Sequence, residues 1–293
     1  MTKYSIDQFS QITGITKFVL RTWENRYGFL KAKRTETKIR FYTDELLVRA
    51  LNSNYLLENG YKISIISKLS HDEISSKVDE IKNSTDDNSI ESYYIAKLIK
   101  SALDFDTNLF NSTYDNAVQE LGILEFYKSV LLVAFSKIGI FWLTNRIAPS
   151  QEHFLSELVK QKIGAAADSV SNDEIKKDSW LLFLPENEFH DIGLLFAKFL
   201  LIKNGFEVVY LGANIPYGSL LELAEKKHID NVLFFSVSNT SKSNLDFTIN
   251  YLNKSFPNTK HFLVANSLDI NFLTKEHDIT ILDNLDDFIK IIS

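Results

Sequence analysis

Glu188, His190 and Gly193 stand in the segment ENEFHDIG, directly after the apolar run Trp180–Leu184. An imidazole is the commonest metal ligand, and a carboxylate that accepts one ring N–H fixes the tautomer and leaves the other nitrogen's lone pair for a metal. A histidine at the start of a helix is also disfavoured as the imidazolium by the positive end of the helix dipole. A glycine three residues on lets that helix approach a neighbour closely. The plain alternative is a surface-loop histidine. A second set is Trp142 with the adjacent Glu152 and His153, a flat apolar ring and two groups able to hydrogen-bond a polar ligand; taken singly, Trp142 reads as bundle core and the pair as the cap of a helix after Pro149. A third set is basic. Lys17, Arg21, Arg26 and Tyr27 fall on one helical segment and Lys33, Arg34, Lys38 and Arg40 on a turn-rich stretch that suits a two-stranded wing. Arg21 is the best candidate for base readout, since a guanidinium pairs bidentately with guanine. Arg26 is either a DNA contact or a scaffold cation paired with Glu24 or another nearby carboxylate. The wing cations suit phosphates, which position without specifying. Trp23, Phe41 and Tyr42 read as core aromatics that lock helix and wing.

Composition narrows the chemistry. The chain has no cysteine, so disulfides, zinc-thiolate sites, Fe–S clusters and cysteine nucleophiles are excluded. The net charge of -6 hides an asymmetry: residues 1–70 hold 12 Lys and Arg against 6 Asp and Glu, and the rest is acidic. A basic head on an acidic body points to a polyanion partner for the head alone. No P-loop or nucleophile elbow occurs, and Gly212-Ala213-Asn214 reads as a turn. His71, His228, His261 and His277 lack zinc-ligand spacing and read as surface residues. No apolar run reaches a membrane-spanning length and the start has no signal-peptide profile, so a cytoplasmic protein with no membrane partner is expected.

The elements that must position these groups follow from periodicity. Short helices are expected through residues 5–70: one near Ile6–Ile12, one from Lys17 to Tyr27 stopped by Gly28, one opened by Thr43-Asp44-Glu45 and fading near Gly60, and one within Tyr61–Leu69. Residues 76–87 are expected as a linker, joined to a frayed helix within the polar stretch 71–89. Residues 88–175 read as four helices with breaks near Asp104–Thr107, Gly122 and Asn145–Ser150, enough for a bundle. After Asp178, short apolar runs at 180–184, 207–211, 231–235, 261–264 and 279–282 alternate with helices at 191–204, 217–227, 243–255 and 284–292. That alternation is the mark of a doubly wound, flavodoxin-like sheet of five parallel strands, with ligands in the crevice beyond the strands' carboxyl ends. The fold class is therefore multidomain α and α/β, with parts at 1–75, 88–175 and 178–293.

The head segment YSIDQFSQITGITKFVLRTWENRYG followed by LKAKRTETKIRFYTDELL resembles the winged helix-turn-helix domain of the MerR family, over residues 4–70. That resemblance implies a second helix in the major groove of promoter DNA and a wing on the backbone. The segment LLFLPENEFHDIGLLFAKFLLIKNGFEVVYLGANIP resembles the Rossmann-like domain of cobalamin-binding proteins, whose signature is an acidic residue, any residue, His, two residues, then Gly. It implies His190 as the lower axial ligand of cobalt, Glu188 behind it, Gly193 close to the corrin, and Ser236 and Ser238 at the nucleotide tail. The segment IGIFWLTNRIAPSQEHFLSE resembles the helical cap of CarH/LitR-type photoreceptor regulators, which implies Trp142, Glu152 and His153 around the adenosyl group of adenosylcobalamin.

Two positions depart from these families. Leu143 stands where light-sensing members often carry a second cobalt-binding His, so a stable light adduct of that kind is not expected. Ala265-Asn266 replaces a Gly-Gly pair near the nucleotide tail, where side chains crowd the pocket. The reading is a transcriptional repressor, not an enzyme, that senses adenosylcobalamin as a homo-oligomer, a dimer or a tetramer, since helix-turn-helix heads bind paired half-sites. The alternative is a cofactor-free MerR-type regulator whose body serves oligomerisation or binds an antirepressor protein.

Overall fold

The computed structural model describes residues 3–82, 90–143, 149–170, 178–237, 242–265 and 278–293, with side chains for all of these except 140–143 and 149. Trp142 and Leu143 are therefore described by backbone alone, and Ser238, Asn266 and His277 lie outside the described residues. Two compact units divide the chain, Met1–Leu155 and Ser156–Ser293.

In the first unit, α1 (Ile6–Thr13) opens on a reciprocal capping box between Ser5 and Gln8 and stops at Gly14, φ 76°. α2 (Lys17–Tyr27) is capped by Thr16 and stops at Gly28, φ 64°, the left-handed position that favours glycine. β1 (Lys33–Arg34) and β2 (Arg40–Phe41) pair antiparallel as the wing. Its turn is closed by Thr35 N–H to Ile39 O at 2.9 Å and Lys38 N–H to Thr35 O at 2.9 Å. Trp23 and Tyr42 are buried, and Tyr42 stacks on Phe9 with centroids 4.2 Å apart. Phe41 is half-buried beneath the Lys3 ammonium, 4.9 Å from its centroid. α3 (Asp44–Glu58), α4 (Ile63–Ile66) and α5 (His71–Lys82) complete the head.

Helix α5 carries residues 76–82 of the expected linker as a docked helix. Ile74 and Val78, one turn apart, are buried, and Ser70 and Glu73 exchange bonds at the helix start. Two apolar residues at helical spacing suffice to dock a helix that is otherwise polar, which average composition conceals.

The bundle comprises α6 (Ile90–Asp104), α7 (Thr107–Leu121), α8 (Ile123–Glu125) running through a π-helical stretch at Phe126–Leu131 into α9 (Leu132–Leu143), and α10 (Pro149–Asp168). Head and bundle meet within this unit. The Lys137 ammonium of α9 donates to Ile12 O at 2.7 Å, and Asn54 Nδ2 donates to Thr13 O at 2.5 Å. Both satisfy last-turn carbonyls of α1, and the cation also suits the negative end of that helix. Burial lowers the Lys137 pKa, opposed by Glu58.

Helix α10 begins in the first unit and continues into the second. There, β3 (Ser179–Pro185), β4 (Glu207–Ile215), β5 (Asn231–Ser236), β6 (Lys260–Ala265) and β7 (Thr280–Ile281) form a parallel sheet in the order β4-β3-β5-β6-β7. Its helices are α11 (Ile192–Lys203), α12 (Tyr217–Lys226), α13 (Lys242–Ser255) and α14 (Leu285–Ile292). Strand β3 is buried along its whole length, as a central strand of a doubly wound sheet requires.

Two expectations are corrected here. Gly212-Ala213-Asn214 is not a turn but part of β4, which shifts register against β3. Gly212 at φ 84° and Asn214 at φ 57° absorb the irregularity as a bulge, using residue types that tolerate the left-handed region. His261 is not a surface residue: it lies opposite Val232 in β6 and is 4% exposed. The apolar strand around it carries it inward. Its burial lowers the imidazole pKa, with Asp278 opposing the shift. His228 is exposed as expected, 3.1 Å from Asp230 Oδ1, and His71 is half-buried.

Candidate functional site

The strand order reverses between β3 and β5, and in sheets of this class the crevice at that point takes ligands. Glu188 stands in the loop after β3 and is 3% exposed. Its Oε1 accepts from the backbone N–H of Phe189 at 2.9 Å and of His190 at 3.1 Å, and lies 2.6 Å from His190 Nδ1. Its Oε2 accepts from Val237 N–H at 2.9 Å, just past β5. One buried carboxylate thus spans the two loops that flank the reversal. The same loop is tied to β4 by Asn187 N–H to Asn214 Oδ1 at 2.9 Å and Asn214 N–H to Glu188 O at 3.1 Å.

A carboxylate held this way fixes the imidazole. With the proton on Nδ1 donated to Glu188, the ring's lone pair is on Nε2, the arrangement of a metal-binding histidine with a carboxylate behind it. The His190 side chain is 64% exposed, so the ring is presented to solvent while its anchor is buried. Phe189 beside it is 61% exposed. Asp191 pairs with Lys160 of α10 at 3.0 Å. Burial lowers the Lys160 pKa, but Glu157 and Asp191 outweigh it, so the ammonium titrates above its ordinary range.

Gly193 lies close to Phe235 of β5. A Cβ built there would lie 2.7 Å from Phe235 Cε2, so it is the Phe235 ring that uses the space. Ser236 ends β5 and is buried, and Ala265 ends β6, half-buried. In the first unit, Glu152 in the first turn of α10 is followed by His153, with His153 Nδ1 3.3 Å from Glu152 Oε2 and the His153 ring largely exposed. Buried Gln151 donates to Leu103 O at 2.9 Å and anchors that turn to α6. Trp142 belongs to the last turn of α9.

In the head, Lys17, Arg21 and Arg26 are exposed on α2, and Tyr27 is half-buried with the Arg26 guanidinium 5.4 Å from its ring centroid. The partner of Glu24 is Arg40, not Arg26: Arg40 Nε lies 3.6 Å from Glu24 Oε2, an ion pair beyond hydrogen-bond length. The wing folds back on α2, so the pairing crosses sequence that local spacing cannot join. Lys33, Arg34 and Lys38 are exposed on the wing, and Arg34 donates to Lys38 O at 3.3 Å. Lys17 meets Asp7 at 2.5 Å in an open pair, which lowers the Asp7 pKa. Sequence reasoning missed Phe18 and Asn25, exposed on α2 with Lys17 and Arg21. The signal was available in the helical spacing: Leu20 and Trp23 define the buried face, and neither residue lies on it.

Residues 4–73 match the family described as MerR HTH family regulatory protein, and residues 94–166 match the B12 binding domain. The chain carries a MerR-type head joined to a B12-binding domain. It is homologous to the HTH-type transcriptional repressor CarH of Myxococcus xanthus, 24% identical over 257 residues, which is 87% of this chain and 85% of CarH. Repressor CarA of the same organism is 24% identical over 219 residues, 73% of this chain and 70% of CarA. The solved monomethylamine corrinoid protein of Methanosarcina barkeri shares the fold, with TM-score 0.52 at 17% identity over 67% of this chain and 94% of that one. This MerR-type regulator has, among its described residues, no helix long and apolar enough to cross a membrane and no cluster of three or more metal-ligating side chains.

Proposed function

We propose that this chain is a DNA-binding repressor that senses adenosylcobalamin. The observation that carries the reading is the buried Glu188 carboxylate, which fixes the His190 ring at the strand-order reversal while joining the loops after β3 and β5. The donor set fits a corrinoid: one imidazole, one tautomer, an exposed ring and a buried second partner. His190 would ligate cobalt through Nε2, Ser236 and Ser238 would hydrogen-bond the nucleotide tail, and Trp142, Glu152 and His153 would receive the adenosyl group. When bound, the cofactor supplies a light-cleavable cobalt–carbon bond. The protein's part is to hold it and to differ in affinity between assembly states, since a ligand shifts an equilibrium only through such a difference. Binding favours a homo-oligomer that presents several heads to promoter DNA, with Arg21 reading a base and Lys33, Arg34, Lys38 and Arg40 gripping phosphates. Leu143 removes the second histidine that a lasting light adduct would need, so light acts here by loss of the adenosyl group alone.

A second reading, a cofactor-free regulator whose body binds its own copy or an antirepressor, is favoured by one observation. The glycine of the 188–193 segment is accounted for by Phe235 packing without any ligand. Purified protein mixed with adenosylcobalamin in the dark separates the two. Colour retained through size exclusion, an oligomer that dissociates on illumination, and loss of both in His190→Ala support the sensor. An uncoloured protein that still shifts promoter DNA supports the second reading.

A further inference from the structure

We propose that Phe18 reads thymine, its exposed ring meeting the C5-methyl group of a thymine in the major groove. The inference rests on the reading of the head as a duplex-binding module and names a specificity determinant within it. Phe18 is 78% exposed, the most exposed large apolar side chain among the described residues. It is the second residue of α2, whose buried face is formed by Leu20 and Trp23, so the ring is turned away from the core. Its neighbours on the exposed side are Lys17, Arg21 and Asn25. In helix-turn-helix docking it is the N-terminal part of the second helix that reaches base edges.

The charges decide what covers the ring. Exposed cations one position before and three positions after Phe18 disfavour an apolar protein surface, because docking one there would strip water from Lys17 and Arg21. Duplex DNA has the opposite character: phosphates attract both cations, and the thymine methyl is the one apolar group on a major-groove base edge. On that edge an Arg at position 21 suits guanine and an Asn at position 25 suits adenine, so the exposed face of α2 offers three different readouts side by side.

The test uses the full-length chain, with and without adenosylcobalamin in the dark. A pool of randomised duplexes is enriched on the wild type and on Phe18→Ala, and each thymine of the wild-type site is then replaced by deoxyuridine, which lacks only the methyl group. At one thymine per half-site the replacement is expected to weaken wild-type binding about threefold or more, the scale of one buried methyl group. Phe18→Ala is expected to bind the thymine site as weakly as the wild type binds the deoxyuridine site, and to ignore the replacement. Equal responses of the two proteins at every thymine, or unchanged affinity in Phe18→Ala, would overturn the assignment while leaving the head a DNA reader. A wild type that enriches no sequence would overturn the DNA-reading head and this inference together.

Discussion

On the exposed face of α2, Lys17 and Arg21 stand in solvent, and Lys17 meets Asp7 in an open pair. At the crest of the sheet, Glu188 is buried, with three backbone amides and a ring nitrogen within hydrogen-bond reach of it. The head leaves its polar groups hydrated, which suits a polyanion that brings its own charge, since screened surface pairs cost little to exchange. The crest fixes its imidazole before any ligand arrives, which lowers the entropy cost of binding but ties the site to the stability of the sheet. Substitutions in the crest should therefore move folding and ligand binding together, whereas those in the head should move DNA binding alone.

The largest effect is expected for Glu188→Gln. The amide places an N–H against a donor, and its loss of charge weakens every remaining bond, so the second unit should lose about 2–3 kcal/mol in denaturant unfolding. Cobalamin affinity should fall about 10- to 100-fold, the usual scale for a partner behind a metal-binding histidine. An unfolding curve unchanged from wild type would break the contrast. Next is Gly193→Ala, which sets a Cβ against Phe235 and should cost about 1–3 kcal/mol. Phe235→Leu in the same chain should recover part of that loss, and a fully additive double variant would show that the two residues do not share the space.

His261 gives a smaller, pH-dependent effect. Burial lowers its folded pKa below the unfolded value, so the unfolded chain binds the extra proton first. Stability is then held above about pH 6.5 and falls as pH drops below it, because imidazole ordinarily titrates there. Unfolding midpoints of wild type and His261→Leu between pH 5 and 8 check this: the variant should lose less on acidification, and parallel curves would refute it. The smallest stability effect belongs to the wing. Lys33→Ala should change unfolding by less than about 0.5 kcal/mol while reducing the salt dependence of DNA binding by about one phosphate contact.

Much of this was legible in local sequence. Gly28 and Thr43 mark helix ends because left-handed backbone and N-caps favour particular residues, and the Glu188–His190 spacing puts a carboxylate beside an imidazole within one loop. What was not legible depends on chain segments that meet only after folding. Arg40 reaches Glu24 because the wing folds back, and Val237 reaches Glu188 because β5 lies beside β3. His261 is buried by its place in the sheet, and the bulge at Gly212 keeps β4 going where glycine suggests a turn. Phe18 is legible only from the helical face it occupies, opposite the one that Leu20 and Trp23 bury, because apolar character alone points to the core.

The central claim is that the His190 imidazole binds the corrinoid metal, and electron paramagnetic resonance of the protein loaded with cob(II)alamin tests it most directly. Unlabelled protein should show each cobalt line split into a triplet by one axial nitrogen, and protein uniformly labelled with nitrogen-15 should show a doublet instead. A triplet that persists in the labelled protein would mean that the cofactor keeps its own base on the metal, and would contradict the account.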